Sequence, residues 1–429
     1  MFLLEYLQHR SFQERPASRQ IRALPACHDP FSLIDREIIS KPIEYLVLEI
    51  LNTYGKVAVK VHEKTNCSTE VMILGLSGPL ADIPVSLKDT VDEVGYDSLV
   101  GFSKFVGEHV GDVKTEDGVI TKLLKDARAV PYVKVSTPIT LLSFESGNDV
   151  WGRSTNPYNK KYSPGGSTVY SLKFSTGRWM KLGASTSMPG QDAIHSPWAY
   201  DYMYSIHPLP WKSEVEQEVL GPLRVGGFRT DGAVDSGPVC KKALELAEAA
   251  LRNAGHEMVE INLPSPYEAL QLASHLLYLL YDWHAKDAYK RGWFEWWEDA
   301  NIDFIIAPPN ALPAVPHNGM LDAVSSCGYT FLFNPIDYSA GVIPVTHVDK
   351  ETDRLPSILD IKRLRGIARG AYELYNADDK RGLPVGVQVV VRRLEEEKVL
   401  AAMRRLKDAL GDDEFKLLDP DWIYIDESV

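Results

Sequence analysis

The 429-residue sequence is poor in cysteine: Cys27, Cys67, Cys240 and Cys327 are its four, far apart and without a CxxC pair. That argues against a dense disulfide framework and against paired-thiolate zinc, and it fits a reducing, cytoplasmic setting. Positive charge is also in deficit, with 46 Lys and Arg against 59 Asp and Glu, a net charge of −13 and a pI of about 5.4. Nucleic acid and anionic membrane both call for a basic surface, so neither is expected as a partner. Long apolar runs are missing as well. The best, ALQLASHLLYLLYDW at 269–283, is broken by Gln271, Ser274 and His275 and reads as a buried amphipathic helix. The opening MFLLEYLQHRSFQERP has Glu5 inside its apolar run and no basic leader, so it does not read as a signal peptide. No GxSxG elbow occurs, which leaves His195, His207, His317 and His347 without a Ser-His-Asp arrangement. HDP at 28–30 and HVD at 347–349 are too isolated to gather metal ligands, so no metal is expected.

What is present suits a globular protein. A hydrophobic share of 45% with 24% charged residues can bury a sizeable core. Helix-like spacing of Ile39, Ile43, Leu46, Leu48, Ile50 and Leu51 predicts a helical layer over 34–62. IPVSLKD at 83–89 reads as a buried strand with a lysine near its end. VITKLLKDARAVPYVKVSTP (119–138) and KALELAEAALRNAGHEMVEINLP (242–264) each read as helix then strand, with Gly255 where a helix C-terminal cap belongs. DFIIAPPN and GLPVGVQVVVRR supply further strands, and LEEEKVLAAMRRLKDAL a closing amphipathic helix. The alternation predicts an α/β protein. With no repeat and no clear linker, one domain over 1–429 is expected: a helical N-terminal layer at 1–70, a core at 71–190 and a further part of the same domain at 220–429. Residues 175–220 are the least regular. Trp293, Trp296 and Trp297 stand at helical spacing, which favours packing against a neighbouring helix over a substrate mouth.

A lysine after an apolar run is usually a surface residue with a solvated head, and SPGGS by itself is usually a turn. Here they occur with other motifs in a fixed order: GPLADIPVSLKD (78–89), GNDVWGRSTNPYNKKYSPGGS (147–167), PPNALPAVPHNGMLDAVSSCGYTFLFNPIDYSAGVIPVTHVD (308–349) and GLPVGVQVV (382–390). Together these stretches resemble the amidase signature family, in particular its fungal acetamidase-like branch. The resemblance implies a mixed central β-sheet covered by helices, shortened relative to the family, and hydrolysis of carboxylic amides to carboxylate plus ammonia or amine without cofactor. It matches Lys88 to the catalytic base and Ser167 to the bridging serine that follows a cis peptide, with Gly165 and Gly166 giving the backbone its freedom. Leu141 matches a position whose carbonyl helps hold the centre, and Leu141, Gly165 and Gly166 are the expected substrate-side residues. A buried lysine can serve as a base near neutral pH because burial disfavours its charged form.

The family pattern then breaks. Relatives continue from SPGGS into a Gly/Ser stretch and a GTDxxGS-type loop that brings the nucleophilic serine and the oxyanion-hole N–H groups, whereas here Thr168 runs directly into VYSLKFSTGRWMKLGASTSMPGQ. Ser171, Ser175, Ser185 and Ser187 follow, but none has the glycine-rich context of an exposed nucleophile. The joins at 71–80 and 190–213 also look short. Two readings therefore stand side by side: an amidase acting on a small-molecule amide by a Ser-cis-Ser-Lys mechanism, and a catalytically dead relative that binds a ligand or partner. A transamidase subunit would use the same core but need an acceptor-recognising partner; a homodimer is left open.

Overall fold

A computed structural model describes residues 58, 60–71, 84–106, 117–127, 129–138, 145–164, 172–173, 212, 214–215, 221–264, 268, 283–319, 328–333, 336–364 and 366–411. The chain divides into two compact units. One takes Met1–Val169, Pro189–Tyr204 and Leu418–Val429, the other Tyr170–Met188 and Ser205–Leu417. The expected helix over 34–62 lies mostly outside the described residues, with 60–62 helical, and of the 269–283 segment only Trp283 is described.

In the first unit, β1 (Ser68–Val71), β2 (Pro84–Lys88) and β3 (Val130–Val135) form a sheet in the order β1-β3-β2. β2 and β3 run parallel, Lys88 opposite Val135, and β1 is antiparallel to β3. Parallel neighbours need a crossover, and helix α1 (Val119–Asp126) lies in the chain between them, burying Ile120, Leu123 and Leu124 at helical spacing. The two-stranded β4 (Gly147–Asn148) and β5 (Gly152–Arg153) follow. Asn148 shapes their turn, its Oδ1 accepting from the Val150 and Trp151 N–H groups at 3.1 and 2.8 Å.

The second unit is built on a mixed six-stranded sheet. Its strands are β6 (Leu172–Lys173), β7 (Arg224–Gly227), β8 (Glu257–Glu260), β9 (Phe304–Ala307), β10 (Ser339–His347) and β11 (Pro384–Val391), in the order β6-β10-β11-β9-β7-β8. Helix α2 (Pro238–Asn253) takes a proline at its first position, where the missing N–H costs nothing. It buries Val239, Cys240, Ala243, Leu244, Ala247, Glu248 and Leu251 on one face. It ends as the sequence predicts: Gly255 has φ +89°, its N–H reaches the Arg252 carbonyl and the His256 N–H the Leu251 carbonyl, both at 3.0 Å, a Schellman closure.

Helices α3 (Trp283–Ala300), α4 (Gly328–Phe331), α5 (Gly366–Glu373) and α6 (Glu396–Leu410) are this unit's other described α-helices, with a short 3-10 turn at Ile361–Arg363. Trp293 and Trp297 are buried and meet Tyr338 edge-on at centroid distances of 6.0 and 5.5 Å, with Phe333 5.7 Å from Trp293. They pack a core, as expected, but against Phe333 and Tyr338, which lie outside any helix. The strand that the sequence hides is β10. Proline inside a run argues against a central strand, yet Pro344 lies in its middle. The register with β11 shifts between Pro344 and Thr346, so the proline sits at a bulge.

Candidate active site

Lys88 is the last residue of β2, at the C-terminal edge of the parallel β2/β3 pair, the edge where open α/β sheets take their ligands. Its strand alternates: Val85, Leu87 and Asp89 are buried, Ser86 is exposed and Lys88 partly buried. Two backbone bonds pin the strand end, from the Asp89 N–H to the Val135 carbonyl at 3.0 Å and from the Val91 N–H to the Lys88 carbonyl at 2.8 Å. Burial lowers the pKa of Lys88 from the ordinary lysine value, and no carboxylate among the described residues offsets that effect. The amine is thus biased toward the neutral form that can accept a proton.

The opposite face of the same sheet is ionic. Lys134 of β3 is fully buried and donates from Nζ to the Asp97 carbonyl at 2.6 Å and to Ser98 Oγ at 3.2 Å. The buried Asp89 carboxylate takes backbone hydrogen bonds from Gly101, Val100 and Leu99; burial raises its pKa, and the nearby Lys134 cation works against that rise. Asp89 Oδ2 has no hydrogen-bond partner among the described residues. Neither residue was singled out in the sequence. Both lie inside quoted runs, but a charge in an apolar strand reads as a solvated end, and what buries them is a loop eight or more residues away.

The WGRSTNPY stretch belongs to this unit and is tied to the end of β3. Asn148 Nδ2 donates to the Thr137 carbonyl at 2.8 Å and to Ser136 Oγ at 3.0 Å. Ser154 Oγ donates to the Asn66 carbonyl at 2.8 Å, and the Thr155 N–H to the Thr65 carbonyl at 2.8 Å. Asn156 Nδ2 holds the Ser163 carbonyl at 3.1 Å, so the chain is anchored to the threshold of SPGGS. Thr137 Oγ1, buried just past the end of β3, has no partner among the described residues. Ser167, Leu141, Gly165 and Gly166 lie outside the described residues, as do His195 and His207. Of the expected site residues, Lys88 alone can therefore be placed. Among the described residues no group of His, Cys, Asp and Glu is arranged to hold a metal ion, and no helix is long and apolar enough to cross a membrane.

A second perturbed amine occurs in the other unit. Lys380 is fully buried and donates from Nζ to the Ala314 carbonyl; burial brings its pKa down to about 7. Cys240 nearby is buried too, its thiol pushed up to about 12 by the same effect.

Comparison with known proteins bears on the whole chain. The Amidase family model matches residues 49–168 and 278–400. An acetamidase of Emericella nidulans is 28% identical over 442 aligned positions, covering 78% of each chain. Amidase 1 of Gibberella moniliformis is 25% identical, covering 87% of this chain and 94% of its own. The acetamidase has stretches without a counterpart here: 78% of 429 residues is about 335, so roughly 107 of the 442 aligned positions have no residue in this chain. Among solved structures, a fatty acid amide hydrolase superposes with a TM-score of 0.76 at 19% identity over 96% of both chains. A 6-aminohexanoate cyclic dimer hydrolase complexed with substrate gives 0.61 at 18%, covering 85% of this chain and 94% of that one. At such identities the likeness shows the shared α/β fold.

Proposed function

We infer the reaction from kinship: the chain belongs to the amidase family, and within it is similar to fungal acetamidases. The reaction is hydrolysis of a small carboxylic amide to carboxylate plus ammonia or amine. Lys88, uncharged, takes a proton through Ser167 from a serine hydroxyl as that oxygen attacks the amide carbon, and returns it to the departing nitrogen. Water then attacks the acyl-serine and releases the acid. The observation that carries this reading is the state of Lys88, a partly buried amine at the C-terminal edge of a parallel strand pair with its charge disfavoured and uncountered among the described residues.

The nucleophile is the weak link. No GTDxxGS stretch follows SPGGS; the family match stops at residue 168 and resumes at 278, and the acetamidase alignment passes over roughly 107 positions absent here. These observations favour a second reading, in which the chain as written binds amides without turning them over. Losing one oxyanion donor alone costs about 2.7–4 kcal/mol in the transition state, and losing the nucleophile removes the covalent route.

One experiment separates the readings. The 429-residue chain and a version with a family-type loop inserted between Thr168 and Val169 are assayed on short aliphatic and aryl amides, each with and without Lys88→Ala. Hydrolysis by the restored version alone, abolished by Lys88→Ala, supports both the reaction and the loss of the loop. Hydrolysis by the chain as written means that another serine serves. No hydrolysis by a folded restored version sinks the reaction.

A further inference from the structure

The ionic cluster on the buried face of the β2/β3 pair has no part in the reaction just described, yet it is built around the residue next to Lys88. We propose that Asp89 and Lys134 are positioning residues that grip the Asp97–Gly101 loop from both sides and thereby fix the direction in which Lys88 leaves its strand.

The loop is held by its donors and its acceptors at once. Its N–H groups at Leu99, Val100 and Gly101 converge on the Asp89 carboxylate. Its acceptors, the Asp97 carbonyl and Ser98 Oγ, take hydrogen bonds from Lys134 Nζ at 2.6 and 3.2 Å. Successive N–H groups converge where the backbone turns and takes left-handed residues, and Val100 and Gly101 have φ +53° and +73°. For a β-branched residue that conformation is an outlier, which persists only where the surroundings enforce it. Both enforcing side chains are buried, Asp89 at 2% exposure and Lys134 at 0%. The Ser98 hydroxyl also donates to the Val91 carbonyl at 3.2 Å, closing the loop onto the segment that follows Lys88.

The link to Lys88 is geometric. Successive side chains of a strand point to opposite faces, and the buried-exposed alternation of 85–88 continues through Asp89, whose N–H extends the ladder to Val135. Anchoring Asp89 below the sheet therefore fixes the rotation of the strand end and sends Lys88 out above it. The effect is one of position rather than field, because Lys134 does not figure among the causes that perturb Lys88. Two further charges lie on this side: buried Glu93, which Lys125 meets at 2.6 Å, and Asp117, which the same Lys125 meets at 2.9 Å. Both pair with Lys125 on α1, while Glu93 Oε2 has no hydrogen-bond partner among the described residues.

The proposal rests on Lys88 being the base, so the test reads the Lys88 amine directly and needs no turnover. The full chain is labelled with trace acetic anhydride across pH 6–10, and acetylation of Lys88 is measured by peptide mass spectrometry against exposed Lys362. Melting is recorded for every variant, and labelling is done well below it. In the wild type, Lys88 should label with a midpoint below that of Lys362. Asp89→Ala should move this midpoint up by about one pH unit, some tenfold less neutral amine at pH 7. Lys134→Met should do the same more weakly. Asp89→Asn, which keeps an oxygen for the three N–H groups, should restore the wild-type profile even where its melting point falls. A wild-type Lys88 that labels like Lys362 overturns its assignment as base. A perturbed wild-type Lys88 whose profile is unchanged in folded Asp89→Ala and Lys134→Met overturns the positioning role alone. If Asp89→Ala does not fold, Lys134→Met decides.

Discussion

Lys88 and Lys380 are both lysines whose charge is disfavoured by burial, one in each unit, and they differ in everything else. Lys380 is sealed, with no exposed surface and its amine hydrogen-bonded to the Ala314 carbonyl. Lys88 is partly buried at the open edge of a parallel strand pair. The larger perturbation belongs to Lys380, brought down to about 7. A perturbed amine is thus not by itself a catalytic one: a base must also reach its substrate. The pair separates what burial does to a proton from what a strand edge does with it.

The largest effect that could break this contrast is on turnover. In a hydrolysing form of the chain, Lys88→Ala should lower kcat/KM by about 10²–10⁴-fold, the usual worth of a positioned base. Lys380→Met should leave it within about twofold. Equal losses would erase the distinction.

The next effect is on stability, where the roles reverse. An unfolded Lys380 binds its proton up to its ordinary value of 10.5, whereas the folded one releases it above about 7. Between those pH values the unfolded chain holds more protons, so this residue makes stability climb from about pH 7 to 10.5 and adds no slope below 7. At pH 7 most of the cost is present, at about 1.4 kcal/mol per unit of displacement. Lys380→Met removes it but strands the Ala314 carbonyl, which costs about 1–3 kcal/mol. Urea unfolding should therefore show the variant more stable by about 1–3 kcal/mol at pH 7, with the advantage gone by pH 10. A variant less stable at pH 7 would refute the sealed-amine description.

Smaller still is the reference for how much a single backbone position is worth. Gly255→Ala places a side chain at φ +89° with nothing within 4 Å of its Cβ, so the cost is conformational alone. It should be about 1–2 kcal/mol in the same urea titration. A neutral result would mean that α2 does not close as described.

Much of the fold was legible in the sequence because local signals agreed. IPVSLKD, DFIIAPPN and the runs after 242 and 395 carry period, boundary residues and caps that point one way, and β2, β9, α2, β8 and α6 form where they predict. β10 was hidden because Pro344 argues against a strand and only its pairing with β11 reveals the bulge that admits it. Of the expected site, Lys88 alone falls among the described residues: its apolar run marked the strand, and only the motifs around it set it apart from a surface lysine. Asp89 and Lys134 were not, since nothing local says that a loop at 97–101 closes over them. Ser167, Leu141, Gly165 and Gly166 rest on resemblance.

The most direct test of the account is the pH dependence of kcat/KM for amide hydrolysis by the loop-restored chain, measured beside its Lys88→Ala variant. The proposed reading makes the neutral amine the working form of Lys88, so the rate should rise with pH along a limb whose midpoint lies below the ordinary lysine value of 10.5, and the variant should lose both the rate and the limb. A variant that keeps the same limb at comparable rate would show that the proton is taken elsewhere, and that Lys88 is only the end of a strand.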